Sequence, residues 1–194
     1  SLKIREEIGD KSGIAMSLNN IGTVLEKKGN LSNALEKHRE SLKILEEIGD
    51  KSGIAMSLNN IGTVLDKKDD LDGALEKHRE SLKIQEEIGD KSGIARSLHN
   101  LGAVYFDRKD YNSAISNLFQ SKALKNQMGI KEQETSDYIF KVCKELGRKK
   151  FEALANEVFN KLPDELKLFI NTKEFLEDKT IHTIHKPNRN APCS

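Results

Sequence analysis

The chain has 194 residues, enough to bury a core in one or two domains, and its 32 Lys plus Arg against 31 Asp plus Glu leave a net charge of +1. That balance gives no general attraction to nucleic acid or an acidic membrane surface. Charged residues are 32% and aromatic residues 5%, with no Trp, a composition suited to long helices around a thin aliphatic core. Two cysteines, Cys143 and Cys193, are too few and too far apart for a disulfide framework. No apolar run approaches the roughly 20 residues of a bilayer span, and "SLKIREEIGD" has no hydrophobic signal core. The expectation is a cytoplasmic protein without a membrane segment.

In chain order, Ser1–Glu40 and Ser41–Glu80 differ only at Arg5/Leu45, Glu26/Asp66, Gly29/Asp69, Asn30/Asp70, Ser32/Asp72 and Asn33/Gly73, and a third, drifting copy starts at Ser81. Self-similarity at this spacing signals a solenoid, in which each unit buries its apolar face on the next. The opening 1–11 matches the end of a unit's second helix, so it is expected to be the remnant of a truncated repeat, making the chain a piece of a longer array.

Units are expected at 12–50, 51–90 and 91–129, each of two helices. In the first, Ile14, Ala15, Leu18, Ile21, Gly22 and Leu25 recur at helical spacing, with Ser12 expected as the N-cap. "KKGN" breaks the chain and Asn30 is placed to cap the second helix. That helix carries Leu31, Ala34, Leu35, Leu42, Ile44 and Ile48 and stops at Gly49. His38 and His78 fall where a half-buried aromatic would sit, and read as packed side chains rather than metal ligands. Residues 130–178 lose the repeat but keep amphipathic helices: Tyr138, Ile139, Val142, Cys143 and Leu146, then Phe151, Leu154, Ala155, Val158, Phe159 and Leu162. Pro163 is then expected at the first position of a third helix burying Leu166, Phe169 and Ile170. These read as a cap on the solenoid's end. Residues 179–194, aperiodic and with two prolines, read as a flexible tail.

The third copy, "NLGAVYFDRKDYNSAI", places Leu101, Gly102, Tyr105, Tyr111 and Ala114 as the tetratricopeptide repeat does, and Ile21–Gly22, Leu25, Leu31 and Ala34 fill the same places earlier. The chain therefore resembles tetratricopeptide-repeat proteins. Its 40-residue spacing is similar to the long variety found in kinesin light chains and in mitotic adaptors with C-terminal GoLoco motifs. The resemblance implies an all-α right-handed superhelix with a helical cap. It also implies a concave groove, lined by the first helix of each unit, that holds a peptide or helix of a partner protein. On that face it places Met16, Asn19, Asn20, Thr23 and Glu26 or Lys27, then Met56, Asn59, Asn60, Thr63, Asp66 and Lys67, then Arg96, His99, Asn100, Ala103 and Asp107.

The ladder Asn20, Asn60, Asn100 supplies carboxamide donors and acceptors suited to a passing peptide backbone, or alternatively to bridging a neighbouring helix. With Met16 and Met56 where a carboxylate clamp needs charge, a partly apolar ligand held through its backbone is expected. No catalytic motif is present: no phosphate-binding glycine loop, HExxH or Cys-x-x-Cys. The tail "KPNRNAPCS" resembles the start of the zinc module at the C-terminus of the secretion ATPase SecA. Cys193 would be its first ligand, with the others absent, so no cofactor is expected here and zinc only in a longer form. His182 and His185 do not complete the shell. The alternatives to a binding scaffold are an adaptor with such a zinc module and a regulatory segment of a larger signalling protein. Self-association through exposed repeat ends stays open.

Overall fold

The computed structural model describes residues 9–131 and 133–171. Its first six helices are three successive pairs: α1 (Lys11–Lys27) with α2 (Leu31–Ile48), α3 (Lys51–Lys67) with α4 (Leu71–Ile88), and α5 (Lys91–Asp107) with α6 (Tyr111–Gln127). Three shorter helices follow, α7 (Glu134–Leu146), α8 (Arg148–Lys161) and α9 (Asp164–Lys167). Among the described residues there is no strand, and the architecture is the expected all-α solenoid.

Each first helix is capped two residues earlier than expected. Asp10, Asp50 and Asp90, not Ser12 and its equivalents, cap α1, α3 and α5: their side chains accept from the N–H groups of Gly13, Gly53 and Gly93. Ser12 already lies inside the helix, and a carboxylate is the stronger acceptor for the positive helix end. Asn30 caps α2 as expected, and Asp70 and Asp110 do the same for α4 and α6. The second helices end at Gly49 and Gly89, both with φ of 70°, a left-handed conformation that glycine enters at least cost. At the intervening turn unit 1 has Gly29 at φ 77°, whereas the later units force Asp69 and Lys109 into the same left-handed region, at φ 64° and 62°.

Within a pair the helices cross at a glycine. A Cβ on Gly22 or Gly62 would stand 2.6 Å from the ring of His38 or His78, and one on Gly102 2.6 Å from Leu118 Cγ. Between pairs, α2 packs on α3 and α4 on α5. The first helices also approach one another, α1 with α3 and α3 with α5, which places them along the inner side of the curve. The core of the stack joins Ala34 and Leu35 of α2 to Ile61, Val64 and Leu65 of α3, then Ala74 and Leu75 of α4 to Leu101 and Val104 of α5.

The cap closes the far end. Ile115, Leu118 and Phe119 of α6 pack with Ile139 and Val142 of α7 and Phe151, Ala155 and Val158 of α8. α7 also touches α5, and so occupies the place of a fourth first helix. The third cap helix is shorter than expected. Pro163 stands at its N-cap with an extended backbone, and the helix runs four residues, leaving Leu168 exposed and Ile170 buried. No helix among the described residues is long and apolar enough to cross a membrane. The opening segment 1–8 and the tail with His182, His185 and Cys193 lie outside the described residues.

Candidate peptide groove

Helical spacing sorts the side chains of the first helices into two sets. Residues 15, 19 and 22 lie on one face, because i, i+4 and i+7 stack along a helix. Ala15 and Gly22 are packed against α2, so Asn19 is carried inside with them. The expectation that Asn19, Asn59 and His99 line the groove is therefore corrected: they are 3%, 2% and 6% exposed.

All three work as bridges inside the solenoid. Asn19 Nδ2 donates to Ser57 Oγ at 2.8 Å and Asn59 Nδ2 to Ser97 Oγ at 2.7 Å, so each joins its own first helix to the next. Their Oδ1 atoms lie 2.9 Å from Nδ1 of His38 and His78 on the second helix of the same unit. His99 repeats the pattern toward the cap, with Nδ1 3.0 Å from Thr135 Oγ1 of α7. Ser41, Ser81 and Ser121 of the second helices complete the network by donating to the carbonyls of Ala15, Ala55 and Ala95. The partners Ser57, Ser97 and Thr135 escape sequence inspection because each is met only across a unit boundary.

The other set remains at the surface. Met16, Asn20 and Arg96 are exposed, while Met56, Asn60 and Asn100 are half-buried. None of the three carboxamides of Asn20, Asn60 and Asn100 has a hydrogen-bond partner among the described residues. The neighbouring Asn19 and Asn59 perform the helix bridging instead. Thr23 and Thr63 are half-buried and turn their hydroxyls back to the carbonyls of Asn19 and Asn59, both at 3.0 Å, which leaves their methyl groups as the outward chemistry. Ala103, at the same place in the third unit, is buried.

Toward the C-terminal ends of the first helices the face becomes charged. Lys67 Nζ reaches Glu26 Oε1 at 2.7 Å, linking α3 to α1. One unit further along, the matching positions are Asp66 and Asp107, two carboxylates. Burial pushes the Asp66 carboxyl up to about 6, with the charges of Asp107 and Asp69 adding to it and Lys67 opposing. Asp107 is raised by burial too, with Lys141 opposing and Asp69 adding. Beside them Phe106 and Tyr138 meet edge to face at 5.9 Å between ring centres, and Lys141 Nζ stands 4.0 Å over the Tyr138 ring. Tyr138's hydroxyl is raised by burial and then by Asp107, Asp66 and Glu134.

The stripe thus offers thioethers, free carboxamides, one guanidinium and a pair of carboxylates over an aromatic edge. It has backbone-pairing and packing chemistry but no nucleophile held against a base. No cluster of three or more His, Cys, Asp or Glu among the described residues is placed to hold a metal ion.

Comparison with known proteins bears on the fold and the family. No curated protein matches the sequence. Among solved structures the chain is similar to the crystal structure of BtubC (BKLC) from P. vanneervenii. The match has 16% identity and a TM-score of 0.64, covering 100% of this chain and 82% of that one, a likeness of fold alone. Two sequence models described as tetratricopeptide repeat match residues 14–48 and 53–127, together more than half of the chain. The chain belongs to the tetratricopeptide-repeat family.

Proposed function

We propose that the chain is a binding scaffold whose inner face holds an extended or helical segment of a partner protein. Tetratricopeptide repeats mediate protein–protein interaction, and the reading adds where and by what chemistry. The observation that carries it is the ladder of Asn20, Asn60 and Asn100. These carboxamides recur on successive first helices, face the surface, and keep both donor and acceptor capacity free after the packing of the solenoid is complete. A peptide main chain passing across α1, α3 and α5 satisfies them without a required sequence. Met16 and Met56 add adaptable apolar contact, and Arg96 adds charge. Asp66 and Asp107 favour a ligand that brings a Lys or Arg to the cap end, in the role that Lys67 plays for Glu26.

The test uses peptides selected on the chain from a random display library. Asn60→Ala with Asn100→Ala is expected to weaken them about 10- to 100-fold, since each lost hydrogen bond costs about 0.5–1.5 kcal/mol. The melting temperature should stay where it was, because neither carboxamide has a partner in the fold. Undiminished affinity in the double variant would remove the ladder from the reading. Selection of peptides lacking Lys and Arg would remove the carboxylate pair.

A further inference from the structure

Away from the groove the solenoid encloses two titratable side chains that ligand binding does not use. His38 and His78 are 0% and 1% exposed. Each is seated on the glycine of its own unit's first helix, Gly22 or Gly62, with no room for even a methyl group between. Each places Nδ1 2.9 Å from the carboxamide oxygen of Asn19 or Asn59. That carboxamide donates its N–H onward to Ser57 or Ser97, so its oxygen is the acceptor and the histidine Nδ1–H the donor. The second nitrogen is then the basic one. In His38 this Nε2 is buried and meets no acceptor among the described residues.

The surrounding charges do not make a home for an imidazolium. Glu26 of α1 favours a charge on His38, but burial outweighs it and holds the ring below its usual range; Glu26 is also already paired with Lys67. On α2 itself Lys37 is paired with Glu40, and Arg39 is exposed. From α3 the network around His38 receives Ser57, which carries no charge. His78 is pushed down to about 4, first by burial and then by His99 of α5. On α4 Lys77 is paired with Glu80, and Arg79 is exposed and bonded to the Tyr105 hydroxyl of α5. Asp66, which takes Glu26's place on α3, loses its own charge near pH 6.

The third unit has the same seat with no titratable ring in it; its buried histidine is His99 of α5, in the place of Asn19 and Asn59. Leu118 rests on Gly102 where the earlier units have histidine. A hydrocarbon therefore fills the seat where His99 replaces the asparagine, and the imidazole brings two properties that leucine lacks, the Nδ1–H given to Asn19 or Asn59 and a response to pH.

We propose that units 1 and 2 are an acid-released joint: protonation of His38 and His78 unseats the rings from Gly22 and Gly62, breaks the Asn19–Ser57 and Asn59–Ser97 ties between units, and loosens residues 11–88 while the third unit and cap stay packed. The sign follows from linkage. Rings held neutral by the fold stabilise it fully above their free value near 6.5. That stability is lost as pH falls toward the folded value, because the unfolded segment then binds more protons.

Amide hydrogen exchange on the whole chain between pH 7.5 and 5.0, corrected for intrinsic rates, tests the proposal. Below pH 6.5 the opening of peptides from α2, α3 and α4 is expected to increase up to about tenfold per pH unit for each histidine. Peptides from α6 and α7 should change far less. The His38→Leu, His78→Leu double variant carries the residue that unit 3 already seats on its glycine. It should lose the acid-promoted opening of α2–α4, leaving only the opposite slope that Asp66 contributes, whatever it does to absolute stability, a result that mere loss of packing would not produce. An unchanged pH slope in that variant, or α6 and α7 opening in step with α2–α4, overturns the proposal. Should the variant fail to fold, the ring resonances of the unaltered chain decide. Titration near 6.5 with native dispersion retained refutes it, and titration displaced well below 6 or coincident with lost dispersion supports it.

Discussion

α1 and α3 differ at a single position, Glu26 against Asp66, yet they do not share an environment. Val24 is 52% exposed and Ile21 37%, while Val64 and Ile61 are at 0% and 2%. The difference is the neighbour: α3 receives Leu31, Ala34 and Leu35 of α2 on this face, joined in one core with Ile61, Val64 and Leu65. Identical letters are therefore core or surface according to their place in the stack. The stability of such an array divides into what a helix pair earns alone and what each junction adds.

The most disruptive way to probe the contrast is to put a charge on both faces. Val64→Asp buries an unpaired carboxylate in the junction and is expected to cost at least about 4 kcal/mol, enough to abolish cooperative unfolding of units 1 and 2. Val24→Asp should stay within about 0.5 kcal/mol, as surface substitutions do. Urea denaturation followed by circular dichroism measures both. Similar losses in the two variants would mean that another segment covers α1.

A second pair separates contacts inside a unit from contacts between units. Gly22→Ala and Gly62→Ala both drive a Cβ to 2.6 Å from a histidine ring. Each is expected to cost about 1–3 kcal/mol through overpacking, and the two costs should be alike despite the different junctions. Adding His78→Ala to Gly62→Ala should recover part of the loss, giving a favourable coupling in a double-mutant cycle. Unequal costs for Gly22 and Gly62 would show that the junction reaches into the helix crossing.

These contrasts also mark how far the sequence can be read. The helix pairs, the crossing glycines, the Asn30 cap and the αL exit at Gly49 are legible because each rests on spacing within one unit. The burial of Asn19 is legible by the same reasoning, since it lies four residues from Ala15 and three from Gly22, although a polar side chain by itself points to the groove. Asp10 supplanted Ser12 as the cap because two acceptors stood within one turn and geometry chose between them. The exposure of Val24 and the Asn19–Ser57 tie were not legible, since both depend on how one unit is set against the next. Repetition makes the elements easy to recognise and hides the junctions, where the same pattern meets different surroundings.

The smallest expected effect lies at those junctions. From α1 to α3 the ladder reads Glu26 to Lys67, an ion pair at 2.7 Å; from α3 to α5 the same offset of 41 residues reads Asp66 to Asp107. A carboxyl raised to about 6 in the fold, against 3.8 as its ordinary value, binds more protons folded than unfolded between those values. The site therefore weakens the fold above pH 6 and ceases to do so as pH falls through 6 toward 4, opposite in sign to the buried histidines. Asp107→Lys rebuilds the first junction's pair at the second. It should lower the Asp66 titration toward the ordinary range, though not fully, because burial is its first cause. It should add about 0.5–1 kcal/mol at pH 7.5, the scale of a partly solvated ion pair. Carboxyl carbon chemical shifts of Asp66 against pH, with Asp66→Asn as the control that removes the titration outright, measure the first. Urea midpoints at pH 7.5 and 5.0 measure the second, and the gain must be larger at pH 7.5 for repulsion between Asp66 and Asp107 to be its cause.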